Sequence, residues 1–408
     1  MSDRLLGSAK DDGGAGLFCG LADPVPDQLL SLINDFRQDV RDQKIDVGVG
    51  VYRDDAGRAP VMLAVKAAES WLMETQATKA YLGPAGDEEY LDALQHVVFG
   101  ERFARRDSVV GVQTPGGTGA LRLAADLVAA VGRSRSVWVG EPAWPNYKNI
   151  LHGAGLRVRT FPHYSLAEQR LVEDRAMSEL SRASPGDVVL IQGGCHNPTG
   201  AVCSPEYWRR LSAVLSSKGL LPLMDFAYQG LGRGLETDRE GVEILLEECG
   251  EALVAYSCDK NFGLYRERTG ALFAVAPRQE LARRARSSLC ALAGGLWSMP
   301  PDHGAAVVRT ILSSEKLTRI WRTELDTMAR RLASIRKSLA RALPVLAQVG
   351  AQEGLFSVLS LSENAVLDMR KSHGVYMPLS GRVNVSGLNP SNLEQFTAAL
   401  RPHLPGYT

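Results

Sequence analysis

Four apolar segments of this chain each lead into a turn that carries a polar or glycine-rich group, and this pattern restricts the fold more than any other feature. In chain order the turns carry Gly116-Gly117, Asn197, Asp225 with Tyr228, and Lys260. The apolar segments alternate with helical patterns, which is typical of an α/β sheet with helices on both faces. Because the carboxyl ends of parallel strands share one edge of a sheet, we expect these turns to meet there, where ligands bind.

The strand and helix patterns also predict how the chain is divided. Strands are predicted at 136–139, 188–191, 220–224, 253–255 and 270–275. Helical patterns then dominate 302–346, and a smaller α+β segment follows with strands near 356–359 and 382–385. The sequence therefore predicts an α/β protein with a second, smaller α+β unit.

Composition excludes several classes of protein. The chain has 408 residues, a formal net charge of zero and 45% hydrophobic residues, which is enough for large cores in two or three domains. The balanced charge gives no indication of nucleic-acid or membrane-surface binding, and no apolar run approaches the ~20 residues needed to span a bilayer. Six cysteines are scattered without a CxxC pair, so we expect reduced thiols, no metal site and a cytoplasmic location.

Lys260 follows the apolar run 252–256, within Ser257-Cys258-Asp259-Lys260-Asn261-Phe262-Gly263. A lysine in a buried turn is unfavourable unless its amine is neutral, paired or covalently used, although an isolated turn lysine usually lies on the surface. The acid, the asparagine and the glycine loop at the other strand ends favour the functional interpretation. Together these groups suit pyridoxal 5′-phosphate.

Each group matches one part of that cofactor. The lysine amine can bond covalently to the aldehyde, and an acid facing the pyridine nitrogen keeps it protonated. Asparagine and tyrosine side chains can bind the phenolate oxygen. The phosphate needs backbone N–H groups at a helix start, hydroxyl groups and a cation.

From about Leu21 to Leu404 the chain resembles the aspartate/aromatic aminotransferase family of fold-type I pyridoxal-phosphate enzymes. The segments that carry the resemblance are Gly48-Val49-Gly50-Val51-Tyr52, Tyr81-Leu82-Gly83, Trp144-Pro145-Asn146, Lys260-Asn261-Phe262-Gly263-Leu264-Tyr265 and Ser380-Gly381-Arg382-Val383-Asn384-Val385. Their order and spacing are much more specific than a glycine loop alone. The resemblance implies an aminotransferase with a mostly parallel seven-stranded sheet.

The resemblance also implies the domain organisation. A large cofactor-binding domain would span 56–325, and a small domain would combine 21–55 with 326–408. A long helix at about 313–343 would link them. Separately, residues 1–20 are rich in glycine and aspartate and lack the apolar core of a signal peptide, so we expect a flexible arm there. Two subunits would form a homodimer in which Tyr81 is shared across the interface.

The resemblance assigns site residues by position. It implies that Lys260, Asp225 and Tyr228 are catalytic. The implied cofactor ligands are Gly117, Thr118, Trp144, Asn197, Asp225, Tyr228, Ser257, Lys260 and Arg268, with Tyr81 given to the neighbouring subunit's site. The implied substrate-binding residues are Arg382, which would clamp the α-carboxylate, and Gly50, Trp144, Asn197 and Gly294. His196 is expected to be a hydrogen-bonded structural residue.

The chain departs from the family at positions around the cofactor. Dicarboxylate-acting members carry an arginine four residues before the serine of a Ser-x-Pro-Pro run, and here that position, counted back from Ser298, is Gly294. Arg286 is too far along the chain to replace that arginine without a gap. Without an arginine for the distal carboxylate, we do not expect aspartate or glutamate to be the preferred substrate.

Other departures leave the reaction path open. Tyr147 stands where the family usually has a histidine beside the ring acid, Gln192 replaces a common histidine, and Cys258-Asp259 replaces Tyr-Ser before the lysine. We expect an aminotransferase that acts on an L-amino acid other than aspartate or glutamate. The alternative is a lyase or transferase that uses the same carbanion for elimination or replacement at Cβ or Cγ, and a third interpretation is a non-catalytic binding protein.

Overall fold

A computed structural model describes Phe18, Leu21 and residues 28–132 and 134–406, so the predicted arm at 1–20 lies almost entirely outside the described residues. The helices are α1 (Gln28–Gln38), α2 (Leu63–Thr75), α3 (Glu88–Ala104), α4 (Gly116–Val131), α5 (Asn146–Gly153), α6 (Glu173–Leu180), α7 (Pro205–Lys218), α8 (Leu235–Asp238), α9 (Glu240–Glu248), α10 (Gln279–Trp297), α11 (His303–Leu312), α12 (Glu315–Ala342), α13 (Ala347–Ala351), α14 (Glu363–His373) and α15 (Leu393–Leu400). None of these helices is both long and apolar enough to cross a membrane.

The strands are β1 (Ile45–Asp46), β2 (Val109–Pro115), β3 (Ser136–Glu141), β4 (Arg157–Pro162), β5 (Tyr164–Ser165), β6 (Arg170–Leu171), β7 (Val188–Gln192), β8 (Leu221–Phe226), β9 (Ala252–Ser257), β10 (Thr269–Val275), β11 (Phe356–Val358), β12 (Val375–Tyr376) and β13 (Arg382–Asn384). Within the described residues, seven of them form one sheet in the order β2-β10-β9-β8-β7-β3-β4. β10 is antiparallel to both of its neighbours, and the other strands run in one direction. The predicted mostly parallel, seven-stranded sheet is confirmed.

Both faces of the central strands are covered, which explains their continuous apolar runs. Successive residues on one strand pack into different cores: Leu253 and Leu272 pack on the face covered by α4, whereas Val254 and Phe273 pack on the opposite face. Every residue of β9 and β10 is buried. These strands are therefore packed on both sides.

The long helix predicted at 313–343 spans Glu315–Ala342 as α12. Its apolar face ties the C-terminal half of the chain to the turn after Lys260. Trp321 donates a hydrogen bond from Nε1 to the carbonyl of Asn261 at 2.8 Å, and its ring stacks on Phe262 with centroids 4.4 Å apart. Packing on α12 thus holds the turn that carries the lysine.

Residues before 56 pair with residues near the C-terminus. β1 is parallel to β12, and the N–H of Asn384 donates to the carbonyl of Val47 at 2.7 Å. β11 is antiparallel to β13. This pairing is what a small domain built from both ends of the chain requires, and the boundaries at 21–55, 56–325 and 326–408 stay predictions.

Candidate active site

The turns after β7, β8 and β9 lie at one edge of the sheet, as expected from the parallel strands. β10 runs in the opposite direction, so its first residues return to the same edge: Gly270 pairs with Ser257 of β9 and with Thr114 of β2. Arg268, which immediately precedes β10, is thereby brought beside the start of α4. The antiparallel strand places a cation among the groups that the parallel strands supply.

Lys260 extends into this edge from the turn that follows β9. Its Nζ lies 5.3 Å from the centroid of the Tyr228 ring. Burial lowers the pKa of Lys260, and the carboxylates of Asp259 and Asp225 oppose that effect. A lowered pKa increases the fraction of neutral amine, which is the form that can act as a nucleophile or accept a proton.

Asp225 is held by Tyr147, the residue that departs from the family at this position. The Tyr147 hydroxyl donates to Oδ2 of Asp225 at 2.5 Å. Burial raises the pKa of Asp225, and the bond from Tyr147 and the charge of Lys260 oppose the rise. Burial and the neighbouring carboxylate raise the pKa of Tyr147 well above its ordinary value, so the phenol remains a donor. A tyrosine can therefore stabilise this buried carboxylate without carrying a charge itself.

Asn197 is oriented through its backbone by Gln192, the last residue of β7. The Gln192 amide donates from Nε2 to the Asn197 carbonyl at 2.7 Å, and its Oε1 accepts from the Asn197 N–H at 2.6 Å. The Asn197 side chain in turn donates from Nδ2 to the hydroxyl of Tyr228 at 3.4 Å. The predicted pair Asn197 and Tyr228 is thus brought together, and Gln192 positions it.

The start of α4 forms a cradle of backbone N–H groups. Gly116 has φ of 67°, and a Cβ placed there would lie 2.6 Å from Nη2 of Arg268. A Cβ on Gly117 would lie 3.0 Å from the Cβ of Ser257. Glycine at both positions allows this close approach of backbone, hydroxyl and guanidinium. This combination at a helix N-terminus fits a phosphate group, as pyridoxal phosphate requires.

Arg382 lies in the same region but on β13, from the C-terminal part of the chain. Its guanidinium stacks 4.5 Å from the ring centroid of Phe356 and donates from Nη2 to the carbonyl of Gly48 at 3.0 Å. Burial lowers the pKa of Arg382, and Tyr228 opposes that effect. A Cβ on Gly50 would lie 2.9 Å from the Phe356 ring, so Gly50, Phe356 and Arg382 form one packed group.

The other predicted positions lie farther out. Trp144 is partly buried and its ring meets Tyr147 edge-on, with centroids 5.4 Å apart. Tyr81 is 93% exposed, and no hydrogen bond within the described part of the chain joins it to the other predicted ligands. Gly294 is exposed on α10, and a Cβ there would lie 4.0 Å from Pro84. Tyr81 and Gly294 are thus both exposed to solvent.

Some contacts at the site were not predicted. The sequence contains no signal that Phe356 contacts Arg382, because stacking of a guanidinium on a ring depends on tertiary packing. The ion pair between Asp259 and Arg268 was also missed, although opposite charges on either side of one turn offered a signal. His196 is buried and hydrogen-bonded to Thr199 at 2.8 Å, and burial lowers its pKa well below the ordinary value, as suits a structural histidine.

Comparison with known proteins places this site in a family. Residues 42–400 match the family described as aminotransferase class I and II. The chain is 51% identical to a tyrosine aminotransferase of Rhizobium meliloti (91% of this chain, 96% of the relative) and 43% identical to an aspartate aminotransferase of Escherichia coli (92% and 96%).

A solved structure has the same fold. It is an aromatic-amino-acid aminotransferase from Burkholderia pseudomallei covalently bound to pyridoxal phosphate, with a TM-score of 0.92 and 31% identity over 94% of this chain and 98% of the other. The family, the fold and the glycine cradle agree with one another. The chain belongs to the class I and II aminotransferases, enzymes that transfer amino groups with pyridoxal phosphate.

Proposed function

We propose that this aminotransferase prefers an aromatic L-amino acid to aspartate or glutamate. Gly294 carries the proposal, because it stands where dicarboxylate-acting relatives have an arginine for the distal carboxylate. Arg286, the nearest alternative along α10, forms an ion pair with Glu88 at 2.6 Å. The similarity to a tyrosine aminotransferase supports the aromatic class, and since an aspartate aminotransferase is also 43% identical, Gly294 is the more decisive feature.

When it is bound, pyridoxal phosphate supplies an electron-accepting ring that weakens the bonds at the Cα of an amino acid. Lys260 would hold the cofactor through its amine and, once released by the incoming amino acid, would move the Cα proton. Its pKa, lowered by burial, suits both tasks. The hydrogen bond from Trp321 to the carbonyl of Asn261 holds the turn that carries the lysine.

Asp225 would face the pyridine nitrogen and hold a proton there. Tyr147 would maintain the orientation of the carboxylate through the 2.5 Å hydrogen bond. Asn197 and Tyr228 would bind the phenolate oxygen, with Gln192 holding the asparagine backbone. A preorganised set of donors in a buried site stabilises developing charge without reorganisation during the reaction.

Gly117 and Thr118 at the start of α4, with Ser257 and Arg268, would bind the phosphate. Helix N-termini favour anions because their first N–H groups lack partners within the helix. Trp144 would stack on the cofactor ring.

Arg382 would bind the substrate α-carboxylate in a two-pronged geometry. The stacking on Phe356 and the hydrogen bond to Gly48 restrict its guanidinium before substrate arrives, which lowers the entropy lost on binding. Gly50 leaves room for that ring. Recognition of the carboxylate is thus independent of the side chain that the substrate carries.

We propose further that two chains form a homodimer in the cytoplasm. Several large apolar side chains around α2 and the following loop are exposed: Leu63, Trp71, Met73, Tyr81 and Leu82. Exposure of several large apolar side chains within one stretch of the chain favours association. Tyr81 would reach the neighbouring subunit's phosphate site. The five cysteines within the described residues are free thiols, as suits a reducing compartment.

Borohydride reduction followed by peptide mapping tests the cofactor assignment. The pyridoxyl group is expected on Lys260, and Lys260→Ala is the matched control that should carry no label. A label on another lysine would contradict the assignment.

Single-turnover reaction with individual amino acids tests the substrate proposal. The bound cofactor accepts the amino group in this experiment, so no second substrate has to be chosen. Tyrosine and phenylalanine are expected to convert the cofactor to its amino form much faster than aspartate. Loss of a charged clamp is worth about 2–4 kcal/mol, or about 30- to 1000-fold in kcat/KM. Aspartate turnover equal to that of tyrosine would refute the proposal. A side-chain product without the amino form of the cofactor would instead indicate elimination or replacement.

A further inference from the structure

The phosphate cradle contains a buried carboxylate. Asp259 immediately precedes Lys260, its side chain is 6% exposed, and its Oδ2 accepts from Nη1 of Arg268 at 2.5 Å. The Asp259 N–H donates to the hydroxyl of Ser257 at 3.2 Å, which anchors the residue within the cradle. The cation and the hydroxyl that suit a phosphate are therefore both engaged with one aspartate.

One oxygen of the Asp259 carboxylate lacks a hydrogen-bond donor within the described part of the chain. It is Oδ1, which is buried and has no hydrogen-bond partner among the residues that the structure describes. Burying a charged oxygen without a donor is unfavourable, so this aspartate is not explained by stability of the turn. The Nη1 group of Arg268 is shared with the carbonyl of Tyr265 at 3.1 Å, while Nη2 extends over Gly116 at the start of α4. The guanidinium thus lies between the carboxylate and the helix start.

We propose that Asp259 is an internal competitor for the phosphate of the cofactor. Its carboxylate neutralises Arg268, and the phosphate must share or displace that ion pair when it binds. A dianion then enters a subsite whose formal charge from these two side chains is zero instead of +1. The cofactor is consequently held less tightly and exchanges more readily than it would with a neutral residue at this position. The inference rests on the proposed binding of pyridoxal phosphate at Lys260.

The cofactor affinity of Asp259→Asn tests this role, since the change removes the charge and preserves the shape. Cofactor-free wild type and variant are titrated with pyridoxal phosphate in phosphate-free buffer, and binding is followed by absorbance. The variant is expected to bind at least about tenfold more tightly and to release the cofactor more slowly, because a like charge at close range has been removed. Pyridoxal, which lacks the phosphate, should gain much less affinity from the change.

Two further variants complete the test. Asp259→Ser should also bind pyridoxal phosphate more tightly, which keeps the test valid if the asparagine variant fails to fold. Glu267→Gln is the matched control, because it removes a negative charge from the same turn but its Cβ lies against Gly304 of α11. Its affinity should change by less than about threefold. Inorganic phosphate should raise the melting temperature of cofactor-free Asp259→Asn more than that of wild type.

The outcomes separate the two proposals. If wild type carries the reduced label on Lys260 but both Asp259 variants bind the cofactor equally or more weakly, Asp259 supports Arg268 and the competition proposal is overturned while the proposed function stands. Equal gains for pyridoxal and pyridoxal phosphate would also overturn it. If wild type carries no label on Lys260, both proposals fail.

Discussion

Replacement of Arg336 by leucine should destabilise the protein by about 3–5 kcal/mol, a large loss for a single change. Arg336 lies on the inner face of α12 and is 1% exposed. Burial lowers its pKa to about 10, so the guanidinium remains charged at neutral pH. It donates to the hydroxyl of Ser357 at 2.6 Å and to the carbonyls of Phe356 at 2.7 Å, Gly354 at 2.8 Å and Glu353 at 3.0 Å.

The magnitude follows from what the leucine leaves behind. Three carbonyls and one hydroxyl lose a charged donor, and each buried acceptor without a donor costs about 1–3 kcal/mol. Part of that cost is offset, because the leucine variant no longer buries a charged guanidinium. The expected net loss is therefore about 3–5 kcal/mol, as for breaking a buried charged network. The loop also supports the site, because Phe356 stacks under Arg382 and meets the Tyr228 ring. We therefore also expect a higher KM for the amino acid.

Urea unfolding of the cofactor-free protein, followed by circular dichroism, measures the loss. Lys337→Leu is the matched control, since Lys337 is the next residue on α12 and is exposed. The control should change the free energy of unfolding by less than about 0.5 kcal/mol. If Arg336→Leu costs less than about 1 kcal/mol, the carbonyls find other donors and the reasoning is wrong.

Three other changes are expected to have measurable effects. Tyr147→Phe removes the donor to Asp225 and should raise the pKa of that carboxyl further, with stopped-flow rates of the amino-acid half-reaction falling by about 10- to 100-fold; an unchanged rate would show that Asp225 does not need the phenol. Gly294→Arg should raise kcat/KM for aspartate by at least about tenfold, whereas Gly295→Arg, one position along α10, should not. Burial lowers the pKa of His163 from 6.5 to about 4, so its contribution to stability is complete above pH 6.5 and is lost as the pH falls toward 4. Urea unfolding at pH 7 and pH 5 measures this effect. The free energy of unfolding should fall between the two pH values by about 1–2 kcal/mol less for His163→Gln, which can still bond Tyr207, than for wild type.

Much of the sheet could be predicted because its central strands are buried on both faces. Segments such as 188–191 and 270–275 appear as continuous apolar runs, and the structure has strands there. β4 was not among the predicted strands. It lies at the edge of the sheet, four of its six residues are exposed, and charged and polar residues interrupt any apolar run in Arg157-Val158-Arg159-Thr160. An edge strand needs no continuous apolar run, so this signal was weak.

The antiparallel direction of β10 was also beyond the sequence pattern. A buried strand has the same composition whichever way it runs, and only pairing with β2 and β9 decides the direction. That direction brings Arg268 back to the edge of the sheet where the candidate active site lies. The position of this cation therefore depends on strand pairing, which the local sequence does not specify.

The sequence by itself determined which groups stand at the strand ends, because turn residues, glycines and apolar runs are local features with a fixed relation to backbone geometry. Lys260, Asp225 and Asn197 could be named on this basis, and the family resemblance added Arg382. Tertiary structure alone decided which of these groups touch. Asp259 meets Arg268, Gln192 holds Asn197 by its backbone, and Phe356 supports Arg382. Such contacts depend on strand direction, helix packing and side-chain shape across distant segments, and their short range means that a shift of about 1 Å would remove them.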